Sequence, residues 1–193
     1  MNYKTLVAQI AGLDWTQAVP QDIIILSKYT AVEFASSLRE AMRLYPDDSR
    51  LKEMADGELK TDNMSFDDYS GPGDHWEYLA HFINTFGIVP SNPGIEESAR
   101  RYTGSVEALS PSDRAMTVFS REEELTLIFR KIIDAHDWNA LGFGFYRHYL
   151  ESHILFDSGE GGHHHLTEHF PLHENVLEAF YRSRLELYSA LFK

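Results

Sequence analysis

"FYRHYLESHILFDSGEGGH", residues 145–163, is the stretch on which the reading of this chain turns. As a helix, it puts His153 on the same face as Tyr146, Tyr149 and Leu150, which precede it by seven, four and three residues. Asp157 follows one turn later on that face. An imidazole and a carboxylate that point the way the aromatics point are two potential metal ligands on the inner side of one helix. The surrounding window, 149–170, holds five of the ten histidines and four carboxylates. Continued helix would add Glu160 and His164 to the His153 face. The Gly161–Gly162 pair argues for a break, because each glycine costs about 1 kcal/mol in a helix interior. A broken turn presents His163 instead.

Outward from this stretch the chain reads as helical. Breakers stand at "YPDD" (45–48), "DYSGPGD" (68–74), "VPSNPG" (89–94) and "LSPSD" (109–113). Between them lie helix-sized segments at 25–45, 47–60, 74–87, 94–107, 111–135, 138–157 and 172–191, with Asp47, Asp74 and Ser112 or Asp113 as N-caps. "DIIILSKY" (22–29) is the one strongly β-like run, and it leads straight into helix-like "TAVEFASSLREAMRLY". The expectation is one all-α domain of seven helices over residues 1–193. That length suits a single core.

Composition narrows function. The formal net charge of −13 would repel a phosphate backbone, so nucleic acid is not an expected partner. No apolar run is long enough to span a membrane. The first residues, "MNYKTLVAQIAGLDW", do not read as a signal peptide, and a cytoplasmic location is expected. With no cysteine, thiolate metal sites and cysteine nucleophiles are excluded.

The same angular test finds further inward-facing ligand types. In "DHWEYLAHFINTFG" (74–87), His75 shares a face with Leu79, Phe82 and Phe86, while Glu77 and His81 point elsewhere. In "RLKEMADGELK" (50–60), Glu58 lies with Leu51, Met54 and Ala55. In "DRAMTVFSREEELTLIFRKII" (113–133), Glu122 falls within a broad apolar stripe, Glu123 lies at its edge and Glu124 points away. One of Glu122 and Glu123 is therefore expected to be buried. Each such residue taken alone is more often a satisfied core polar group or half of an ion pair. Four helices doing this together point to a bound cation, since a buried charge costs several kcal/mol unless compensated. Carboxylates mixed with imidazoles suit iron or manganese.

The order Glu58, His75, Glu122 or Glu123, His153-x-x-x-Asp157, then a further histidine, resembles the haem-oxygenase-like diiron oxidases and oxygenases. Glu33, on an earlier helix, matches an additional glutamate of some members. The resemblance spans roughly residues 25–190. It departs from the family's pattern where the last histidine would fall, because Glu160 stands there. Either "SGEGG" expands the turn so that His163 ligates, or Glu160 substitutes. His163 is the expectation. The resemblance implies a seven-helix bundle holding two irons per chain, with manganese as a substitute. It implies activation of O2 to oxidise a small metabolite such as an amino acid or fatty acid. An external electron donor and a homodimer are compatible with it. Trp76, Tyr78, Phe82, Tyr146 and Tyr149 are candidate pocket walls, and Arg130 and Arg147 candidate carboxylate anchors. Two other functions remain in view. A thiaminase-like enzyme of the same fold would need a cysteine, and a haem oxygenase an early proximal histidine, whereas the first histidine is His75. A non-catalytic metal-binding protein would use "HHHLTEHFPLH" (163–173) as a surface tract.

Overall fold

A 25-residue helix, α2 (Pro20–Leu44), organises the fold. At 1.5 Å per residue it is about 37 Å long, enough to touch most of the other elements. The computed structural model describes residues 2–60, 64–158 and 173–193, and within these the side chains of all but 122–124 and 156–158. Nine α-helices and no strand occur among the described residues. Besides α2 they are α1 (Tyr3–Ala11), α3 (Ser49–Glu58), α4 (His75–Thr85), α5 (Pro93–Glu107), α6 (Pro111–Phe119), α7 (Glu122–Ala135), α8 (Gly144–Ser158) and α9 (Glu174–Ser189). Short 3-10 turns follow α1 and α9, at Trp15–Gln17 and Ala190–Phe192.

The all-α reading holds, and "DIIILSKY" is helix. Ile23, Ile24, Ile25 and Leu26 are all buried. A segment apolar on every side belongs inside a bundle. Burying each such side chain contributes about 1.5–3 kcal/mol, which outweighs the few tenths that β-branching costs a helix. Helix α2 packs against α3, α4, α5 and α6, while α1 and α5 pack on α9 and α7 on α8.

The helix count differs from the seven expected, for two reasons. Helix α1 was not anticipated; Asn2 caps it by accepting from the Lys4 N–H at 2.8 Å, and Leu6, Val7 and Ile10 fill its inner face. The segment read as one helix over 111–135 is two. The break falls at Ser120–Arg121, where the Arg121 side chain turns inward. Caps also shift. Asp48 rather than Asp47 begins α3, accepting from the N–H groups of Arg50 and Leu51. Ser110 rather than Ser112 or Asp113 begins α6, because Pro111 fits the first helical position. Asp74 begins α4 as expected, and its N–H donates to the Glu77 carboxylate at 2.8 Å. That contact fixes the start of α4 and with it the place of His75. Helix α8 begins at Gly144 instead of 138, after a turn in which Gly142 takes φ +78°, a conformation that favours glycine. Phe86, expected on the inner face of α4, caps that helix half-exposed and stacks on Phe82 and Phe145.

Candidate metal centre

Three helices converge on one buried point. Glu58 ends α3, His75 begins α4, and His153 lies in the second half of α8. All three are buried, at 7%, 6% and 7% exposure, so solvent contributes little to neutralising them. The Nδ1 of His75 lies 2.7 Å from Glu58 Oε2 and 3.0 Å from His153 Nε2. The third separation, Glu58 Oε2 to His153 Nε2, is 4.0 Å.

His153 Nδ1 lies 2.7 Å from the Tyr149 carbonyl oxygen, which can only accept. That bond puts the His153 proton on Nδ1 and leaves the Nε2 lone pair facing the cluster. His75 Nδ1 carries at most one proton, yet two acceptors flank it. A cation serves all three lone pairs at once. The separations 2.7, 3.0 and 4.0 Å form nearly a right triangle. A point at the middle of its long side is therefore about 2 Å from every donor atom, the length of a metal–nitrogen or metal–oxygen bond. The backbone carbonyl on the far nitrogen of His153 is the orienting contact that metal-bound imidazoles usually have. The group of Glu58, His75 and His153 thus fits a metal ion.

A cavity of about 40 Å³ adjoins the three ligand candidates. Its apolar wall includes Ala31, Phe34, Leu125, Phe129 and Tyr149, and Trp76 closes one side. Two arginines, Arg121 and Arg184, also line it. The Tyr149 ring packs 4.3 Å from that of His153. Burial, then the charge of Glu58, pushes the Tyr149 hydroxyl well above its ordinary pKa, so it stays protonated.

The other candidates from the sequence are placed as follows. Glu33 is buried but bonded elsewhere. Its two oxygens each accept from Arg121 at 2.8 Å, and the hydroxyls of Ser37 and Tyr102 donate at 2.6 and 2.7 Å. Burial opposes its ionisation, yet Arg121 and these hydroxyls hold its carboxyl below the usual range. The expected role of Glu33 as a ligand is thus set against a structural one, because the guanidinium already takes both oxygens. Glu122 and Glu123 open α7 and Asp157 sits near the end of α8, but their side chains lie outside the described residues, as does His163 altogether. Of the five aromatic candidates, Trp76 and Tyr149 line the cavity. Tyr78 donates to the Phe145 carbonyl, Tyr146 pairs with Ser27, and Phe82 stacks on Phe145, all within the core. Arg130 is exposed, and Arg147 is paired with Glu151 at the surface.

Arg121 and Arg184 are the functional candidates missed in the sequence. The signal was present. Arg184 shares a helical face with Leu177, Phe180, Tyr181 and Tyr188, the pattern that marked His75 and His153. A guanidinium on an apolar face carries the same meaning as an inward acid or imidazole.

No family model matches this chain, and neither does any curated protein or solved structure.

Proposed function

We propose that the protein is a non-haem iron enzyme that uses O2 to oxidise a small metabolite, built on a haem-oxygenase-like helical bundle. The observation that carries this reading is the buried Glu58–His75–His153 cluster, with two imidazoles and one carboxylate around a common point. Two histidines with one carboxylate and open positions beside a cavity are the donor set of O2-using iron sites. Zinc would fit the same three donors, but a zinc site needs no further carboxylates. The sequence supplies Glu122 and Glu123 at the start of α7 and Asp157 one turn after His153 on α8 for a second iron, with His163 as its last ligand, and manganese is the substitute metal.

Glu58 supplies the negative charge at the centre, and its place at the end of α3 is set by Leu51, Met54 and Ala55 beneath it. Tyr149 holds His153 through its carbonyl and borders the cavity with its ring. Phe34, Leu125 and Phe129 keep the approach apolar, which strengthens electrostatic contacts made inside. Iron bound here would supply the redox change that O2 reduction needs. The bundle's own part is to fix the ligands, orient a substrate and limit water.

The test is anaerobic loading of the full chain with Fe(II), followed by metal analysis and exposure to O2. Two irons per chain, with oxidation seen as a new visible absorption, are expected. Stable binding of one zinc with no Fe(II) uptake would overturn the iron reading. Metal uptake that survives Glu58→Ala and His153→Ala would move the site away from this cluster, to the histidine tract.

A further inference from the structure

Helix α9 brings to the cavity a cation that no described carboxylate contacts. Arg184 is 2% exposed and lines the cavity beside His75 and His153. Its Nη2 donates to the Tyr188 hydroxyl at 3.2 Å. Its Nε has no hydrogen-bond partner among the described residues. The rings of Phe180 and Tyr188 lie 5.7 and 5.9 Å from the guanidinium carbon, which orients the group without removing its charge. The nearby carboxylates are committed. Glu33 is held by both terminal nitrogens of Arg121, and Glu58 faces His75. A buried guanidinium with no anion beside it costs several kcal/mol, and among the described residues Arg184 has none, so its retention at a cavity wall calls for a ligand.

We propose that Arg184 is the anchor for a carboxylate, and that the substrate of this site is a monocarboxylate with an apolar body. The proposal rests on the reading of the cavity as the substrate site. Glu33 takes up the charge of Arg121, so Arg184 is the guanidinium left to meet a carboxylate. A guanidinium offers its N–H groups in a planar fork that a carboxylate fits. The apolar body has a route outward. Thr30, Ala31, Phe34, Trp76 and Leu125 line the cavity and are only half-buried, so they form its mouth. Arg121 stands behind as a positioning residue and does not compete, since its fork is filled.

The experiment is calorimetric titration of the full chain, metal-free and again with Mn(II), using hexanoate and 3-phenylpropionate. Hexanamide, 1-hexanol and hexyl phosphate are the comparison probes. Both carboxylates should bind, and the amide and alcohol should not. Arg184→Lys should weaken binding at least tenfold, since it keeps the charge and loses the fork, and Arg184→Met should abolish it. Melting temperature separates anchoring from support. As a binding residue with no carboxylate partner among the described residues, Arg184 can be replaced by Met with the melting temperature held or raised. Equal binding of carboxylate by Arg184→Met, equal binding of amide or phosphate by the wild type, or a drop of many degrees in Arg184→Met would each overturn the proposal. Absence of carboxylate binding by the wild type in both metal states would do so too. Carboxylate binding that persists while Mn(II) neither binds nor stabilises would sink the metal reading and leave the anchor standing. Metal uptake without carboxylate binding would do the reverse.

Discussion

Glu33 and Glu58 are both buried glutamates, and one perturbation separates their roles. Glu33→Gln keeps the side-chain shape and one acceptor but removes the charge that faces Arg121. Arg121 is 1% exposed and makes both of its carboxylate bonds to Glu33, at 2.8 Å each. Its remaining bonds, to the Thr117 carbonyl and hydroxyl, are to neutral oxygens. Removing one partner of a buried ion pair leaves an uncompensated charge and costs about 3–5 kcal/mol. For a chain of 193 residues, each kcal/mol moves the melting temperature by roughly 2–4 °C, so a fall of about 6–20 °C is expected. Arg121→Met alone should cost a similar amount. The double variant should recover much of the loss, because pairs replaced together by apolar groups are often near neutral. The assay is urea unfolding of the four proteins as a double-mutant cycle, with Mn(II) uptake measured on each folded protein. Uptake should be unchanged in Glu33→Gln. A Glu33→Gln protein that keeps its melting temperature and loses bound metal would refute the assignment of Glu33 to Arg121 and return it to the ligand set.

Three further outcomes are expected. Metal should raise the melting temperature of the wild type and leave those of Glu58→Ala, His75→Ala and His153→Ala unmoved, measured by thermal unfolding with and without Mn(II). His169→Ala should respond like wild type, and the reverse ranking would place the metal on the histidine tract. The Glu33 carboxyl titrates below its ordinary 4.5 in the fold, so its contribution is complete above that value and is lost as pH falls through the lowered one; urea unfolding between pH 7 and pH 3 should show a shallower acid loss in Glu33→Gln than in wild type. Asp22 is 1% exposed and accepts from both the N–H, at 2.7 Å, and the hydroxyl of Ser91; Asp22→Ala should cost about 1.5–3 kcal/mol by removing these hydrogen bonds to a charged acceptor, read from the urea midpoint.

Fold class and much of the centre were legible in the sequence, and the reasons are local. Three inward-pointing ligand types, Glu58, His75 and His153, were found by helical period alone, because a 3.6-residue repeat fixes which side chains share a face. Glu33, suggested by the family resemblance and not by periodicity, is half of an ion pair. Periodicity says that a carboxylate points inward but not what waits for it. Its partner, Arg121, is 88 residues away in sequence. The split between α6 and α7 was hidden for a related reason. Ser120 and Arg121 are not breakers by propensity. They break the helix where Arg121 turns toward Glu33 and Thr117, a tertiary contact that overrides a weak local preference. Helix α1 is only nine residues long, too short to be stable alone, and it is held by packing on α9 that its own sequence does not display.

The two arginines show why a buried charge must be followed to its partner before it is given a function. Arg121 and Arg184 lie close enough to repel one another, and both border the same cavity. Among the described residues, the ionised groups at this end of the bundle are Glu33 and Glu58 against Arg121 and Arg184, which balance while both histidines are neutral. A divalent cation among Glu58, His75 and His153 upsets that balance by two positive charges in a low-dielectric interior, where repulsion from the arginines is screened least. Anions must then enter. The carboxylate proposed for Arg184 is one source. A metal ion and an anionic ligand are therefore expected to favour each other here, and by linkage each must tighten the other by the same factor. An isolated ion pair such as Glu33–Arg121 imposes no such coupling, because its charges are already matched.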